Sequence, residues 1–228
     1  MNFLQLTQAV KRESGLGMGS SIVAYASATG DDLRMFNWVN WAARDITLAR
    51  EDWRWRRGSA TLPSTTTIAN AYSAFSLADF ASWKAAGLQY KPSTYRVADG
   101  IATERELAWM DYDQFRKQFF LGAQATGSVQ YWSISPSEEF LIGPTPDSAH
   151  FVRADYVKDF TDMAADADTP ALPARFHTLI VWRALMEYGG FDAASEVYQR
   201  AEKNYTLGWP QLVQSQMDMP TIMSRALA

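Results

Sequence analysis

The sequence predicts an α+β fold, in which N- and C-terminal helices form a bundle and the middle of the chain forms a β-rich insertion. Two observations lead to this prediction. Apolar residues recur with helical spacing near both ends of the chain, and the short segments between them alternate with a period of two. The insertion is expected to be an antiparallel sheet or a small barrel. The predicted parts are residues 1–57 and 173–208 (helical bundle), 58–160 (β-rich insertion), 161–172 (linker) and 209–228 (C-terminal arm).

The longest predicted helix covers Asp31 to Arg57. Trp38, Trp41 and Leu48 form an apolar strip beside its main stripe, so apolar side chains span a wide arc. A helix of this kind must be covered on more than one side, and we expect the cover to come from the rest of the chain and from neighbouring subunits. The main stripe repeats at alternating spacings of four and three and comprises Met35, Val39, Ala42, Ile46, Ala49 and Trp53.

The start of the chain is predicted to be a short amphipathic helix, because Phe3, Leu6 and Val10 share one face. A glycine-serine segment, Gly15 to Ser21, follows it. Glycines at alternate positions are compatible with a phosphate-binding loop. A dinucleotide-binding fingerprint, however, needs a strand before the glycines, and a P-loop needs a lysine after them; here a predicted helix precedes and no lysine follows. We therefore predict an ordinary loop.

The C-terminal part is predicted to be an αα-hairpin. Its first helix is strongly apolar and ends at Gly189 and Gly190, and Asp192 caps the second. The N- and C-terminal helices are expected to pack together, because neither part can bury its apolar stripe alone. The polar, methionine-rich stretch from Trp209 to Ala228 is predicted to be an arm that becomes ordered only against a partner.

The middle of the chain combines several predicted strands with two short helices. Glycine, proline, serine and aspartate separate the strands, which is typical of antiparallel sheets. The helices are predicted over Ala74–Ala86, and over Asp111–Phe120 with Asp111 as the cap. The strands are predicted within Ser59–Ile68, Ser93–Ala98, Arg105–Met110, Ser128–Ser135, Glu138–Pro144 and Ser148–Val157.

The composition excludes several classes of chemistry. The chain has no cysteine, which rules out disulfides, thiolate zinc sites and cysteine nucleophiles. Its only histidines, His150 and His177, are expected to be structural, and we predict no metal site and no cofactor. A net charge of −4 does not suggest a basic nucleic-acid-binding face. No apolar run is long enough to cross a bilayer, so no membrane partner is expected.

Pairs of carboxylates are the remaining candidates for catalysis. Two of them could supply the acid and the base of a glycosidase, which makes a virion-associated, carboxylate-dependent cell-wall glycosidase the alternative function. Such pairs occur in any chain with 25 acidic residues, and most of them only form a solvated surface. We therefore predict no enzyme activity. The pairs are Glu104/Glu106, Asp111/Asp113, Glu138/Glu139 and Asp162/Asp166.

A tract of alternating tryptophan and arginine, Trp53 to Arg57, is the sharpest local feature. Its first interpretation is that the tryptophans anchor a helix in the core while the arginines favour the negative end of that helix. The second is an intersubunit contact, since tryptophan and arginine are frequent interface anchors. The third is nucleic-acid binding through base stacking and phosphate contacts. The sequence favours them in this order.

Three segments carry a resemblance to a known family. The first is NFLQLTQAVKRESG with the glycine-serine loop after it, and the second is MFNWVNWAARDITLAREDWRWRR, with a W-V-N-x-A-x-x-D-I pattern and a D-W-x-W box. The third is LPARFHTLIVWRALMEYGGFDAASEVYQRAEKNY, with a P-x-x-F-H-x-L-I-x-x-x-A-L pattern. Together they resemble the head–tail adaptor proteins of tailed bacteriophages, also called tail-tubular or head-completion proteins.

The resemblance implies a structural virion protein at the head–tail junction, synthesised in the host cytoplasm. It implies a homo-oligomeric ring, a dodecamer, that surrounds the DNA channel. One side of the ring would dock on the portal protein, the other would bind a downstream tail or nozzle protein, and genomic DNA would pass through without specific binding. The expected partner-binding residues are Trp53, Arg54, Trp55, Arg56, Trp209, Leu212, Met217, Met219 and Ile222.

Overall fold

The computed structural model describes residues 1–16, 22–84, 91–122, 124 and 126–216. The chain forms two compact units: a helical unit, Met1–Arg56 with the chain from Phe160 onward, and a β-rich unit, Arg57–Asp159. Helices at both ends and sheets in the middle confirm the predicted α+β class. The helices are α1 (Phe3–Ser14), α2 (Gly30–Leu48), α3 (Tyr112–Phe119), α4 (His177–Phe191) and α5 (Ser195–Gln216).

The helical unit is built around one core to which α1, α2, α4 and α5 all contribute. The predicted amphipathic helix at the start of the chain is confirmed as α1, and Asn2 caps it by accepting a hydrogen bond from the backbone N–H of Gln5, at 2.8 Å. The apolar stripes of the N- and C-terminal helices therefore bury one another. The largest fully buried side chains of this core are Phe3, Leu6, Met35, Phe36, Ile46 and Ile180.

Helix α2 ends at Leu48, so the prediction that it continues to Arg57 is wrong. The chain leaves the helix after Leu48, and Arg54–Arg56 form a short 3₁₀ helix instead. The Trp53 ring still reaches the core, because the chain folds back and its indole Nε1 donates to the carbonyl oxygen of Ile46, at 3.0 Å. That bond satisfies a carbonyl that the end of a helix leaves free.

The αα-hairpin is confirmed, but its turn lies later than predicted. Helix α4 runs through both glycines to Phe191, and α5 begins at Ser195. A β-carbon on Gly189 would lie 2.8 Å from the β-carbon of Tyr198, so this glycine permits close approach of the two helices. The Asp192 carboxylate does not serve as the predicted cap: it accepts a hydrogen bond from the Tyr188 hydroxyl, at 2.8 Å.

Helix α5 continues to Gln216, past the predicted start of the arm at Trp209. Pro210 lies inside this helix, and Leu212 is completely buried in the core of the helical unit. Residues 209–216 are therefore part of the packed helical unit. The remainder of the predicted arm, residues 217–228, lies outside the described residues.

The predicted linker, residues 161–172, belongs to the helical unit; it has no regular secondary structure beyond turns, and side chains tie it to the rest of that unit. The Asn40 amide donates to the carbonyl oxygen of Met163 and accepts from its backbone N–H, at 3.0 and 3.1 Å. The Asp166 carboxylate accepts a hydrogen bond from the backbone N–H of Tyr25, at 2.7 Å. The backbone N–H groups of Ala164 and Ala165 donate to the Asp168 carboxylate, which lowers its pKa.

In the described part of the β-rich unit, eleven strands form three sheets. Most neighbouring strands are antiparallel, and the described strands form open sheets, which resolves the sheet-or-barrel alternative in favour of sheets. The five-stranded sheet has the order β1-β11-β4-β5, with β3 also pairing with β11; the four-stranded sheet has the order β2-β9-β8-β6, and β10 pairs with β7. The strands are β1 (Arg57–Thr65), β2 (Ala69–Asn70), β3 (Phe80–Trp83), β4 (Ser93–Arg96), β5 (Arg105–Glu106), β6 (Ala108–Trp109), β7 (Thr126–Gly127), β8 (Tyr131–Ile134), β9 (Phe140–Gly143), β10 (Thr145–Pro146) and β11 (His150–Lys158).

Strand β11 organises the largest sheet. It pairs with β1 along one edge, from Arg57 opposite Val157 to Thr65 opposite His150. Its other edge pairs with β4 near the start and with β3 near the end. The first and the last strand of the β-rich unit are therefore direct neighbours.

The helix predicted over Ala74–Ala86 is wrong. The structure has a short 3₁₀ helix at Tyr72–Phe75 and the strand β3 in its place. Ser76 adopts a left-handed conformation, with φ at 56°, which ends the helical turn. The Trp83 indole donates to the carbonyl oxygen of Glu138, at 2.8 Å, and its ring packs into the apolar core of this unit.

Candidate functional site

The tryptophan-arginine tract forms an aromatic cluster inside the helical unit. The rings of Trp53 and Trp55 are stacked, with centroids 4.4 Å apart and an angle of 18° between them. Trp209 meets Trp53 edge-on, at 5.7 Å, and Tyr205 stacks on Trp209 at 5.6 Å. The cluster thus joins the segment after α2 to the C-terminal half of α5.

The arginines of the tract have different environments. Arg56 is buried, and its Nη1 donates to the carbonyl oxygens of Arg50 and Thr47, at 3.2 and 3.4 Å. Its positive charge therefore lies at the carboxyl end of α2, where a cation is favoured. Arg54 is exposed. This environment of Arg56 matches the first interpretation of the tract, in which the tryptophans anchor the helix in the core and the arginines favour its negative end.

The predicted partner-binding residues fall into three groups. Trp53, Arg56 and Leu212 are buried within the helical unit of a single chain. Arg54 is exposed, while Trp55 and Trp209 are half-buried. Among the described residues, the indole Nε1 of Trp55 is buried without a hydrogen-bond partner. The third group, Met217, Met219 and Ile222, lies outside the described residues.

An exposed apolar strip on α2 is a second candidate contact surface. Trp41 is 54% exposed and Leu48 is 51% exposed, although these two large side chains lie seven positions apart on one face of the helix. Trp38, the third residue of the strip predicted from the sequence, is instead buried against Tyr188, with ring centroids 6.0 Å apart. The rest of the helical unit thus covers only part of the arc.

Sequence reasoning identified this strip but did not include it among the partner-binding residues. The sequence pattern that indicated it is the wide arc of apolar side chains on α2, which is wider than two neighbouring helices can cover. Arg44 lies between Trp41 and Leu48 and forms an ion pair with Asp162, at 2.8 Å, and its guanidinium lies 5.4 Å from the centre of the Phe160 ring. The strip therefore has an ordered polar flank.

Several of the carboxylates considered for catalysis have structural partners. Glu104 accepts a hydrogen bond from Ser93 at 2.6 Å and pairs with Arg153 at 3.2 Å. Glu106 pairs with Lys91 at 2.9 Å. In each of the other pairs at least one carboxylate has a partner. Asp111 caps α3, Asp162 pairs with Arg44, Asp166 accepts from Tyr25, and Glu139 accepts from Ser135 and Ser137.

Both histidines are buried. His177 Nε2 lies 2.8 Å from the carbonyl oxygen of Leu172, and Nδ1 lies 2.8 Å from the Met1 amino group. Burial, together with the positive charge of that amino group, lowers the pKa of His177. His150 Nδ1 lies 2.7 Å from the carbonyl oxygen of Ser148. In the described part of the chain, no three histidine, aspartate or glutamate side chains form a group that could hold a metal ion.

Comparison with known proteins assigns the chain to a family. A search of curated proteins finds none that matches. The described helices include none that is long and apolar enough to cross a membrane. The family model of the SU10 adaptor protein matches residues 1–225, which is nearly the whole chain, and so confirms the predicted adaptor resemblance. The chain therefore belongs to the SU10 adaptor protein family and is a structural head–tail adaptor of a bacteriophage virion.

Proposed function

We propose that this chain is the subunit of a homo-oligomeric ring that docks on the portal protein and connects it to the next tail component around the DNA channel. The observation that carries the proposal is the exposed strip of α2. Trp41 and Leu48 present two large apolar side chains to solvent from a helix whose other faces are packed. Burying such a surface is favourable, by about 25 cal/mol for each Å² of apolar area.

A ring contact supplies the cover for this strip. In a closed ring, each subunit places one face against a different face of its neighbour, so the partner surface need not resemble the strip itself. Trp41 suits such a contact, because a rigid ring buries a large area at a low entropic cost. A dodecamer remains the expected subunit number from the family resemblance.

Portal docking is assigned to the end of the chain and to the accessible side of the aromatic cluster. Arg54, Trp55 and Trp209 are the predicted partner-binding residues that retain exposed surface, and Trp209 lies in the C-terminal half of α5. The segment from Met217, which contains Met219 and Ile222, follows directly. We propose that this segment and the accessible part of the cluster contact the portal.

The net charge of −4 is compatible with a conduit for DNA. A strongly basic wall would bind the phosphates of passing DNA and retain it. We also infer that the chain acts without catalysis, since each acidic pair of the glycosidase alternative has at least one carboxylate engaged in an ion pair, a hydrogen bond or a helix cap. A downstream tail or nozzle protein would bind the other side of the ring.

The ring contact is tested by measuring the mass of the purified chain, alone and with the portal protein, by native mass spectrometry. Wild type is expected to place several copies on each portal assembly. The double variant Trp41→Ser/Leu48→Ser is expected to keep its fold but to bind in fewer copies. Ile101→Ser is the matched control, since Ile101 is an equally exposed apolar residue of the β-rich unit. A double variant that assembles like wild type would contradict the contact.

Portal docking is tested by truncation after Gln216. Removing residues 217–228 spares Trp209 and Leu212, which belong to the packed helical unit. The truncated chain is expected to keep the circular dichroism spectrum and unfolding midpoint of wild type while its affinity for the portal falls. Unchanged portal affinity would overturn the docking role of this segment and leave the ring contact to be judged by its own variants.

A further inference from the structure

An open groove of about 450 Å³ lies between helices α4 and α5 of the helical unit. Leu179 and Gly208 bring the two helices together there: a β-carbon on Gly208 would lie 2.5 Å from Leu179 Cδ2. The half-buried rings of Phe176 and Trp182 also line this α4–α5 groove. Since pockets of roughly 300–1,000 Å³ hold small organic ligands, the groove has room for a large side chain of another molecule.

The α4–α5 groove offers hydrogen-bonding groups as well as apolar surface. The side-chain amides of Asn204 and Gln211 line it, and neither has a hydrogen-bond partner within the described ranges. Each amide carries an oxygen that can accept a hydrogen bond. Because α4 and α5 are antiparallel, Asn204 lies towards the Trp182 end of the groove and Gln211 towards the Phe176 end.

The groove and the exposed strip of α2 lie on different sides of the helical unit. Arg183 marks the side of α4 that contacts α2, because it pairs with Asp45 at 2.6 Å. Asp45 lies between Trp41 and Leu48 in α2. Trp182 directly precedes Arg183, and successive residues of an α-helix are about 100° apart. One chain therefore presents the strip in one direction and the groove in another.

The lengths of the two surfaces agree. Trp41 and Leu48 are seven residues apart in α2, which is about 10.5 Å along the helix axis. Phe176 and Trp182 are six residues apart, which is about 9 Å. If α2 of a second copy lies antiparallel to α4, Trp41 meets the Trp182 end, where the Asn204 amide oxygen can accept from the indole N–H, and Leu48 meets the Phe176 end.

Opposite charges flank the two surfaces. Arg175 is exposed at the Phe176 end of the groove, with its Cζ 4.8 Å from the centre of the Phe176 ring. Glu51 is exposed and lies three residues after Leu48. Within the part of the chain that the structure describes, neither Arg175 nor Glu51 forms an ion pair. The antiparallel arrangement that places Leu48 at Phe176 also brings these two charges together.

We infer that, in the ring, the exposed strip of one copy binds in the α4–α5 groove of the next copy, and that Glu51 pairs with Arg175 across this contact. The inference rests on the proposed ring contact and names the surface that meets the strip. Strip and groove are different surfaces, so the contact is heterologous and can be repeated around a closed ring. Trp41 supplies the buried anchor, and the ion pair at the rim fixes the register.

The first test is cross-linking, which is simple to design because the chain contains no cysteine. Glu51→Cys and Arg175→Cys are purified separately, mixed with the portal protein and treated with a short bismaleimide, since the α-carbons of an ion pair are too far apart for a disulfide. The mixture is expected to give a covalent two-chain product on a denaturing gel. Arg12→Cys replaces Arg175→Cys in the control, because the Arg12 side chain is 73% exposed on α1, and should give only background.

The second test is a charge exchange, followed by native mass spectrometry with the portal protein. Arg175→Glu places two negative groups opposite each other and is expected to weaken the loading of the chain roughly tenfold. Adding Glu51→Arg to the same chain is expected to restore loading. Arg12→Glu makes the same change in net charge away from the groove and should load like wild type. Circular dichroism checks that all variants keep their fold.

Each outcome decides the inference. If Trp41→Ser/Leu48→Ser loses copies while the cross-link fails to form and Arg175→Glu loads normally, the ring contact stands but the strip meets another surface, and the inference is overturned. If the strip variant assembles like wild type, the ring contact and the inference both fail. Cross-links within Glu51→Cys alone would indicate a symmetric contact and would also overturn it, as would a double charge exchange that fails to restore loading.

Discussion

The indole Nε1 of Trp53 donates a hydrogen bond to the carbonyl oxygen of Ile46, 3.0 Å away, although the two residues are seven positions apart and no longer in one helix. The bond satisfies a free carbonyl at the end of α2 and brings the Trp53 ring into the core, where it is 2% exposed. One side chain thereby closes the end of the helix and anchors the segment that leads to the β-rich unit.

Trp53→Ala is expected to destabilise the helical unit by about 3–5 kcal/mol, the usual cost of removing a large buried ring. The stacked Trp55 and the edge-on Trp209 would lose their common neighbour. Urea unfolding followed by the helical circular dichroism signal measures the change. Trp41→Ala removes the same side chain from an exposed position and is expected to change stability by no more than about 0.5 kcal/mol. Equal effects of the two variants would refute the anchoring role.

Gly189→Ala and Gly190→Ala are expected to have opposite effects, although the two glycines are adjacent in α4. A β-carbon on Gly189 would lie 2.8 Å from Tyr198 Cβ and 3.0 Å from its backbone nitrogen, which should cost roughly 1–3 kcal/mol. A β-carbon on Gly190 meets nothing within 4 Å, so alanine should stabilise this helical position by about 0.5–1 kcal/mol. Thermal unfolding of both variants checks this, and a shift of the same sign in both would count against close packing of α4 and α5.

His177 is expected to make stability fall in mild acid. Burial lowers its pKa in the folded chain, so the unfolded chain takes up a proton first as the pH falls through the ordinary value of 6.5. The contribution of His177 to the free energy of unfolding is complete above pH 6.5 and is lost as the pH falls towards the lower pKa of the folded chain. His177→Gln keeps a donor for the Leu172 carbonyl but cannot titrate. Urea unfolding of both proteins between about pH 8 and pH 5 should show wild type losing stability relative to the variant; parallel curves would exclude this linkage.

Tyr156 is expected to make the β-rich unit sensitive to alkali. Burial and its hydrogen bond to the Asp79 carboxylate, at 2.7 Å, raise its pKa to about 12. The neutral phenol is favoured in the folded chain. The contribution of Tyr156 to the free energy of unfolding is therefore complete below its ordinary pKa of 10.0 and is lost as the pH rises towards about 12. Denaturant unfolding of Tyr156→Phe should show a lower stability at neutral pH but a smaller loss in alkali.

Tyr188→Phe serves as the control for this comparison. The Tyr188 hydroxyl donates to Asp192, and its pKa is also raised to about 12, but it belongs to the helical unit. Its replacement should therefore leave the alkaline response of the β-rich unit unchanged. If both variants alter that response equally, the effect does not arise from the contact between Tyr156 and Asp79.

The fold class could be predicted because periodicity is a local property of the sequence. The apolar spacing of Phe3, Leu6 and Val10 defines the buried face of α1, and the alternation from His150 to Lys158 defines β11. Helix α3 could likewise be located by its cap, Asp111, which accepts a hydrogen bond from the backbone N–H of Asp113.

The wrong predictions concern segments whose structure depends on distant contacts. Phe80 and Trp83 have helical spacing, but pairing with β11 makes this segment a strand. Trp53 continues the apolar stripe of α2, and no local pattern shows that its ring reaches the core from a chain that has turned back. Residues 209–216 look polar, yet Leu212 is buried in the core, and Trp209 and Val213 pack against it.

The candidate surfaces were predictable to different degrees. The apolar arc of α2 predicted an uncovered strip, because its width is a property of one helix. Which residues of the tryptophan-arginine tract remain accessible depends on packing that the sequence does not reveal. Arg96 and His150 lie far apart in the sequence, and only the register of β4 against β11 makes them cross-strand neighbours.

The pairing of β1 with β11 has a consequence for how this protein can change. Arg57 lies opposite Val157, so the chain enters and leaves the β-rich unit at adjacent points. A segment whose two ends are neighbours can be shortened, enlarged or exchanged without separating the helices that flank it in the sequence. Such an arrangement allows one helical framework to carry insertions of different size and shape.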